Sequence, residues 1–218
     1  MTVICRQNSG ENSKMKKYRL LIISCLIIVS IFVLALNADD SGEKPSTISS
    51  AKQLKITSSE IGFGWKEENY QYIGDPVEFF EDFVNQIDET AFNPEEAKKD
   101  KERLLEMSTK LNESNVKDGS ILQLRKLDHE ITVGFIELDS FVFNDRKGAK
   151  KYFDYRKDKN GGTKITGFGD EAAVISEEHG SRYIYLVQIS NAFLEIVVYD
   201  EEEEARKVAE KIVEILNS

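Results

Sequence analysis

The hydrophobic pattern changes character three times along the chain. From Leu20 to Ala38 (LLIISCLIIVSIFVLALNA) no residue is charged, and the apolar side chains cover every side of a helix instead of one stripe. At the helical rise these 19 residues span about 28 Å, close to the roughly 30 Å hydrocarbon core of a bilayer. Further on, Val77, Phe80, Phe83, Val84 and Ile87 recur at three and four residues and predict a helix after the turn signal Gly74-Asp75-Pro76. Asn93-Pro94-Glu95-Glu96 then supplies a cap, a first-turn proline and an acidic first turn for a second helix to about Leu111. Its apolar stripe is thin (Ala97, Leu104, Met107, Leu111), which places it on the surface of the domain.

After Asp118-Gly119 the period becomes two. Ile121 to Leu127 and Ile131 to Phe143 read as a hairpin around the turn Asp128-His129-Glu130, preceded much earlier by a short extended segment from Ile61 to Ile73. Asn144 or Asp145 caps the next helix, whose buried face is Ala149, Tyr152 and Phe153 and which ends in a loop at Gly161-Gly162. Glu171–Glu177, Arg182–Ile189 and Phe193–Tyr199 follow as three strands of a meander. The last is apolar on both faces and so belongs mid-sheet or under cover. A closing helix from about Glu201 repeats Ala205, Val208, Ala209, Ile212, Ile215 and Leu216, with Glu202–Arg206 and Glu203–Lys207 pairs on its wet face. This order of elements gives an α+β fold: an antiparallel sheet covered by helices, preceded by one N-terminal transmembrane helix.

Charge fixes the orientation of that first helix. Lys14, Lys16, Lys17 and Arg19 precede the run and Asp39, Asp40 and Glu43 follow it, so the positive-inside rule puts the N-terminus in the cytoplasm. The expected organisation is a cytoplasmic tail (1–19), an anchor or signal sequence (20–38), a polar linker (39–50) and an extracytoplasmic domain (51–218). Translation from Met1 or from Met15 gives the same topology. The length of the run favours an uncleaved anchor over a signal peptide cut after Val33-Leu34-Ala35. Ile22-Ile23-Ser24-Cys25 matches a lipoprotein box, but too few apolar residues precede Cys25 for an h-region.

Residues 1–38 carry five basic side chains against one acidic, so the whole-chain net charge of −10 leaves −14 for residues 39–218. An acidic domain is a poor partner for nucleic acid or anionic lipid, both of which need clustered Lys or Arg. The two cysteines, Cys5 and Cys25, lie in the tail and the span, so the outer domain has no disulfide and relies on its core.

No nucleophile elbow, zinc-protease helix, P-loop or EF-hand occurs. His129 and His179 fall in hairpin turns, where a solvated side chain is the default. Asp170 and Glu171 are neighbours and point apart on a strand, so a turn or capping role suits Asp170 better than acid/base work. The run Asp200 to Glu204 opens a helix, whose dipole explains it better than calcium does. Trp65, beside two glycines, reads as a lid on the core, and Asn112-Glu113-Ser114 as an exposed sequon. No catalytic, cofactor-binding or metal-ligating residue is assigned, and no cofactor.

Several of these signatures recur together. Ile61 to Trp65 (Ile-Gly-Phe-Gly-Trp), the strand-to-helix segment Phe143 to Phe153, Gly167 to Ala172 (Gly-x-Gly-Asp-Glu-Ala) and the closing hairpin and helix resemble a family of exported, membrane-anchored or lipoprotein domains of unknown function. The resemblance covers most of residues 55 to 218 and implies a PsbP-like α-β-α sandwich. The chain departs from it in the acidic two-helix segment Val77 to Leu111. It departs again at Gln188-Ile189-Ser190-Asn191, where the family carries Arg-x-Gly-Asn. The resemblance implies no catalytic residues. The function expected is a binding or protein-interaction domain without catalytic activity, held to the membrane by residues 20–38 with a protein partner at the cell envelope. The alternatives are an envelope hydrolase using carboxylates distant in sequence and a cleaved, secreted small-ligand carrier.

Overall fold

The strand Ala192–Tyr199 is apolar on both faces, and the fold gives it the central place: fourth of seven in one antiparallel sheet. A computed structural model describes residues 47–87, 94–128, 131–176 and 182–217. The expected membrane span at 20–38, Cys5, Cys25, His129 and His179 lie outside the described residues. Among the described residues no helix is long and apolar enough to cross a membrane. Thr47–Ser218 forms a compact unit of its own.

In chain order the strands are β1 (Trp65–Ile73), β2 (Val116–Asp128), β3 (Ile131–Phe143), β4 (Thr163–Ile165), β5 (Glu171–Ser176), β6 (Arg182–Ile189) and β7 (Ala192–Tyr199). Their order across the sheet is β1-β2-β3-β7-β6-β5-β4. The helices are α1 (Ser58–Ile61), α2 (Pro76–Gln86), α3 (Pro94–Glu113), α4 (Arg146–Lys159) and α5 (Glu202–Asn217). This is a mixed α+β fold with helices on both faces. On one face α5, α1 and the 3₁₀ turn Ala51–Leu54 bury Leu124, Ile136, Leu138, Leu194, Ile196 and Val198. On the other, α2, α3 and α4 bury Phe141, Phe143, Leu186, Phe193 and Val197.

Local chemistry explains most of the boundaries. Asp75 caps α2 by accepting from the backbone N–H of Val77 and Glu78, ahead of Pro76 at the first helical position. Asp145, not Asn144, caps α4 through Gly148 N at 2.7 Å. Trp65 is 9% exposed and sits within the α5-side core, as a lid would.

Four expectations need correction. Ile61 closes a helical turn instead of opening a strand, because Thr57 and Glu60 form a capping box there, and β1 begins at Trp65. β2 begins at Val116, so Asp118-Gly119 lies inside the strand and not ahead of it. The Asp118 carboxylate accepts from Ala51 N at 2.8 Å and Tyr72 Oη at 3.0 Å, which lets it sit buried, and a Cβ at Gly119 would lie 2.9 Å from the Phe141 ring. Thr163–Ile165, ahead of the first strand expected at Glu171, adds an edge strand to β5. Arg206 reaches forward to Glu210 at 2.9 Å instead of back to Glu202, whereas Lys207 pairs with Glu203 as expected.

Candidate functional site

Side-chain alternation puts every second residue of β3 and β7 on the α4 face, and the register reads out what stands there. Starting at the outer end, the rungs are Phe135 opposite Tyr199, Glu137 opposite Val197, Asp139 opposite Glu195, and Phe141 opposite Phe193. A seam of apolar mouth, carboxylates and aromatic floor results.

The mouth is open. Phe135 and Tyr199 meet edge to face at 5.7 Å, and the Arg182 guanidinium lies 5.8 Å from the Tyr199 ring centre. β3 continues past the end of β7, and its register with β2 slips between Lys126 and Leu127, which leaves Val133 as an extra residue. Such a bulge re-aims a side chain. Here Val133 is 49% exposed and Tyr199 41%. With Thr132, Gly134 and Phe135 they line a shallow concavity of about 450 Å³.

The carboxylates are recessed. Arg156 of α4 forms an ion pair with Glu195, both side chains being 14% exposed. Among the described residues, Asp139 Oδ1, Arg156 Nε and the hydroxyl of the fully buried Tyr152 have no hydrogen-bond partner. Glu137 accepts from Gln123 Nε2 at 2.8 Å. Burial, and after it the neighbouring Glu195 and Glu137, push the Asp139 carboxyl well above the usual range, with Arg156 pulling the other way. Burial also raises the Tyr152 hydroxyl. Against the cost of burial, Glu195 and the Tyr152 hydroxyl keep Arg156 firmly protonated.

A carboxyl that holds its proton more tightly than usual, beside a second carboxyl, is the raw material of acid/base chemistry. Reach argues against its use here. Asp139 is four residues along β3 from Phe135, or about 13 Å at the strand rise, beneath a helix whose Tyr152 has no exposed surface. A second, larger concavity of about 650 Å³ is lined by Arg146, Lys147, Lys150, Lys151 and Asp154. Its charges are largely spent: Arg146 pairs with Asp170 at 3.4 Å, Lys150 with Glu171 at 2.8 Å and Lys151 with Glu113 at 3.5 Å.

Residues singled out in the sequence take structural parts. Gly167 and Gly169 have positive φ, and a Cβ at Gly169 would lie 2.5 Å from Gln188 O. Asp170 then accepts from Ser190 N at 2.7 Å, the turn role expected of it. Glu202, Glu203 and Glu204 form the first turn of α5. Asn112 is exposed, but Ser114 of the sequon is buried against Gly148, a correction to its reading as wholly exposed. Sequence reasoning missed Asp139, Glu195 and Arg156. The available signal was a carboxylate at an inward position of each of two apolar strands, Glu-x-Asp-x-Phe in β3 and Phe-x-Glu-x-Val in β7.

No family model matches the chain, and no curated protein sequence matches it. Among solved structures it is similar to the extracellular domain of PknH from Mycobacterium tuberculosis, at 10% identity and a TM-score of 0.45, over 79% of this chain and 98% of that one. A likeness this distant carries no functional argument.

Proposed function

We propose that this chain is a binding or protein-interaction domain without catalytic activity, anchored by residues 20–38 and facing outward from the membrane. The address rests on the sequence: the length of the uncharged run and the charges that flank it. The binding reading rests on the seam. Its accessible part is a shallow apolar mouth built around the bulged Val133, while the groups capable of proton transfer sit about 13 Å further in. The mixed α+β layering, a seven-stranded antiparallel sheet with helices, adds nothing about activity.

A photocrosslinking residue at Val133 of the full-length chain, in its own membranes, tests this reading against the same residue at exposed Leu105 on α3. A discrete adduct from position 133 and none from 105 is expected. Protease added outside intact cells should remove the domain.

The hydrolase reading has one observation in its favour, the meeting of Asp139 and Glu195 on one rung. Turnover of a hydrolase substrate that disappears in Asp139→Asn, with no adduct at Val133, would replace the binding reading by that one.

A further inference from the structure

The carboxylate rung has a property that does not depend on whether the mouth binds a partner. Asp139 and Glu195 stand directly opposite on antiparallel strands, a placement that brings Cβ atoms to about 5 Å and penalises like charges. Each element packed around them contributes identifiable groups. From α4 come Tyr152, Tyr155, Arg156 and Lys159, and from α3 comes Glu106. β3 supplies Glu137 and β2 supplies Gln123 and Arg125, while Arg182 of β6 lies at the outer end beside Tyr199.

The cations among these are engaged elsewhere or shared. Lys159 binds Glu106, Arg125 binds Glu68, and Arg182 lies over the Tyr199 ring. Arg156 is committed to Glu195. Among the described residues, three carboxyls (Glu137, Asp139, Glu195) thus face one arginine. Asp139 Oδ1, the member with no hydrogen bond, shares its surroundings with two other unpartnered buried atoms, Tyr152 Oη and Arg156 Nε.

We propose that the Asp139–Glu195–Arg156 cluster, closed over by Tyr152, is a one-proton switch that sets how tightly α4 packs on the β3–β7 seam. With the proton on Asp139, the rung carries one negative charge, matched by Arg156, and α4 stays seated. When the proton leaves to solvent, a second carboxylate charge stands opposite Glu195 with no cation of its own. Arg156 cannot neutralise both carboxylates, and hydrating the second charge requires water to enter beneath α4, which loosens the Tyr152–Arg156 turn from the sheet. The raised affinity of Asp139 for its proton is consistent with this direction. Glu106, which ties Lys159 and Tyr155 to α3, limits the movement to the helix and its immediate neighbours.

The test uses the full-length protein in detergent micelles, with no ligand. Amide exchange of α4 is followed from pH 5 to 9 after correction for intrinsic rates, and the Asp139 carboxyl carbon is titrated by NMR. The expected result is one transition above the ordinary carboxylate range, across which α4 opening increases tenfold or more while α5 is unchanged. Asp139→Asn should hold α4 at its low-pH protection throughout. Glu195→Gln, which removes the facing charge and frees Arg156, should move the Asp139 midpoint down by at least one pH unit and serves independently if the asparagine variant folds poorly. An Asp139 carboxyl that titrates in the ordinary range overturns the proposal. So does α4 exchange equal in wild type and Asp139→Asn, or loosening spread equally over α5. None of these outcomes bears on adduct formation at Val133.

Discussion

Asn191 holds Ile48, 143 residues before it, by both ends of its side-chain amide: Oδ1 accepts from Ile48 N at 2.8 Å and Nδ2 donates to Ile48 O at 3.0 Å. The same Nδ2 donates to Phe143 O at 2.7 Å. One buried turn residue therefore joins the β6–β7 turn, the end of β3 and the segment by which the chain enters the domain. Ser190, with φ of 53°, makes the turn that aims it.

Replacing Asn191 by Ala strands three backbone groups, of which Phe143 O is deeply buried. A loss of about 2 to 3 kcal/mol is expected, since an orphaned buried polar group costs roughly 1 to 3 kcal/mol. Denaturant unfolding followed by the emission of Trp65, the one tryptophan, measures it. Amides of residues 47–50 should lose exchange protection in the same variant. Unchanged stability would mean that the contact to Ile48 is incidental.

Two glycines separate steric from conformational need. A Cβ at Gly148 would lie 2.2 Å from Ser114 O, a backbone atom that cannot swing aside. Gly148→Ala should cost about 3 kcal/mol or prevent folding, as overpacking against fixed atoms does. Gly161 has open space around it but a φ of 67°, so Gly161→Ala should cost only about 1 kcal/mol. Comparison of the two unfolding midpoints checks the order.

Removing Arg156 leaves Glu195 without its cation. Arg156→Met is expected to cost about 3 kcal/mol, the low end for breaking a buried pair because both side chains keep 14% exposure. Adding Glu195→Leu should recover most of that loss. A double-mutant cycle in which the second change recovers nothing would deny the coupling.

The pH dependence of stability follows from Asp139. Its folded pKa is raised, so the folded state holds a proton that the unfolded chain releases near pH 4. The stability this contributes is full below the unfolded pKa and is lost as pH rises through the folded one. Asp139→Asn should therefore melt above wild type at neutral and alkaline pH, with the gap closing toward pH 4. A gap that is constant across that range would show that Asp139 titrates alike in both states.

Periodic segments declared themselves in the sequence because each encodes its own burial. Val77, Phe80 and Val84 mark the inner face of α2, Asp145 caps α4, and the two apolar faces of β7 place it mid-sheet. The pairing of β3 with β7 left no local sign, since it joins residues 50 or more apart across α4 and the strands β4, β5 and β6. The start of β2 was missed by a few residues because Asp118 interrupts the apolar alternation, its carboxylate being satisfied inside the strand by Ala51 and Tyr72. Asp139 and Glu195 read as ordinary polar members of an alternating strand, and only the register with β7 and the cover of α4 bring them together.

The central claim is that the seam acts at its apolar mouth and not through its carboxylates. Partner capture from native membranes by full-length protein carrying Val133→Asp or Asp139→Asn separates the two, because Val133 is half exposed and bulged and its substitution leaves the core intact. Capture should fall at least tenfold with Val133→Asp and stay within twofold of wild type with Asp139→Asn at pH 6. Capture indifferent to Val133→Asp, together with an activity abolished by Asp139→Asn, would contradict the account.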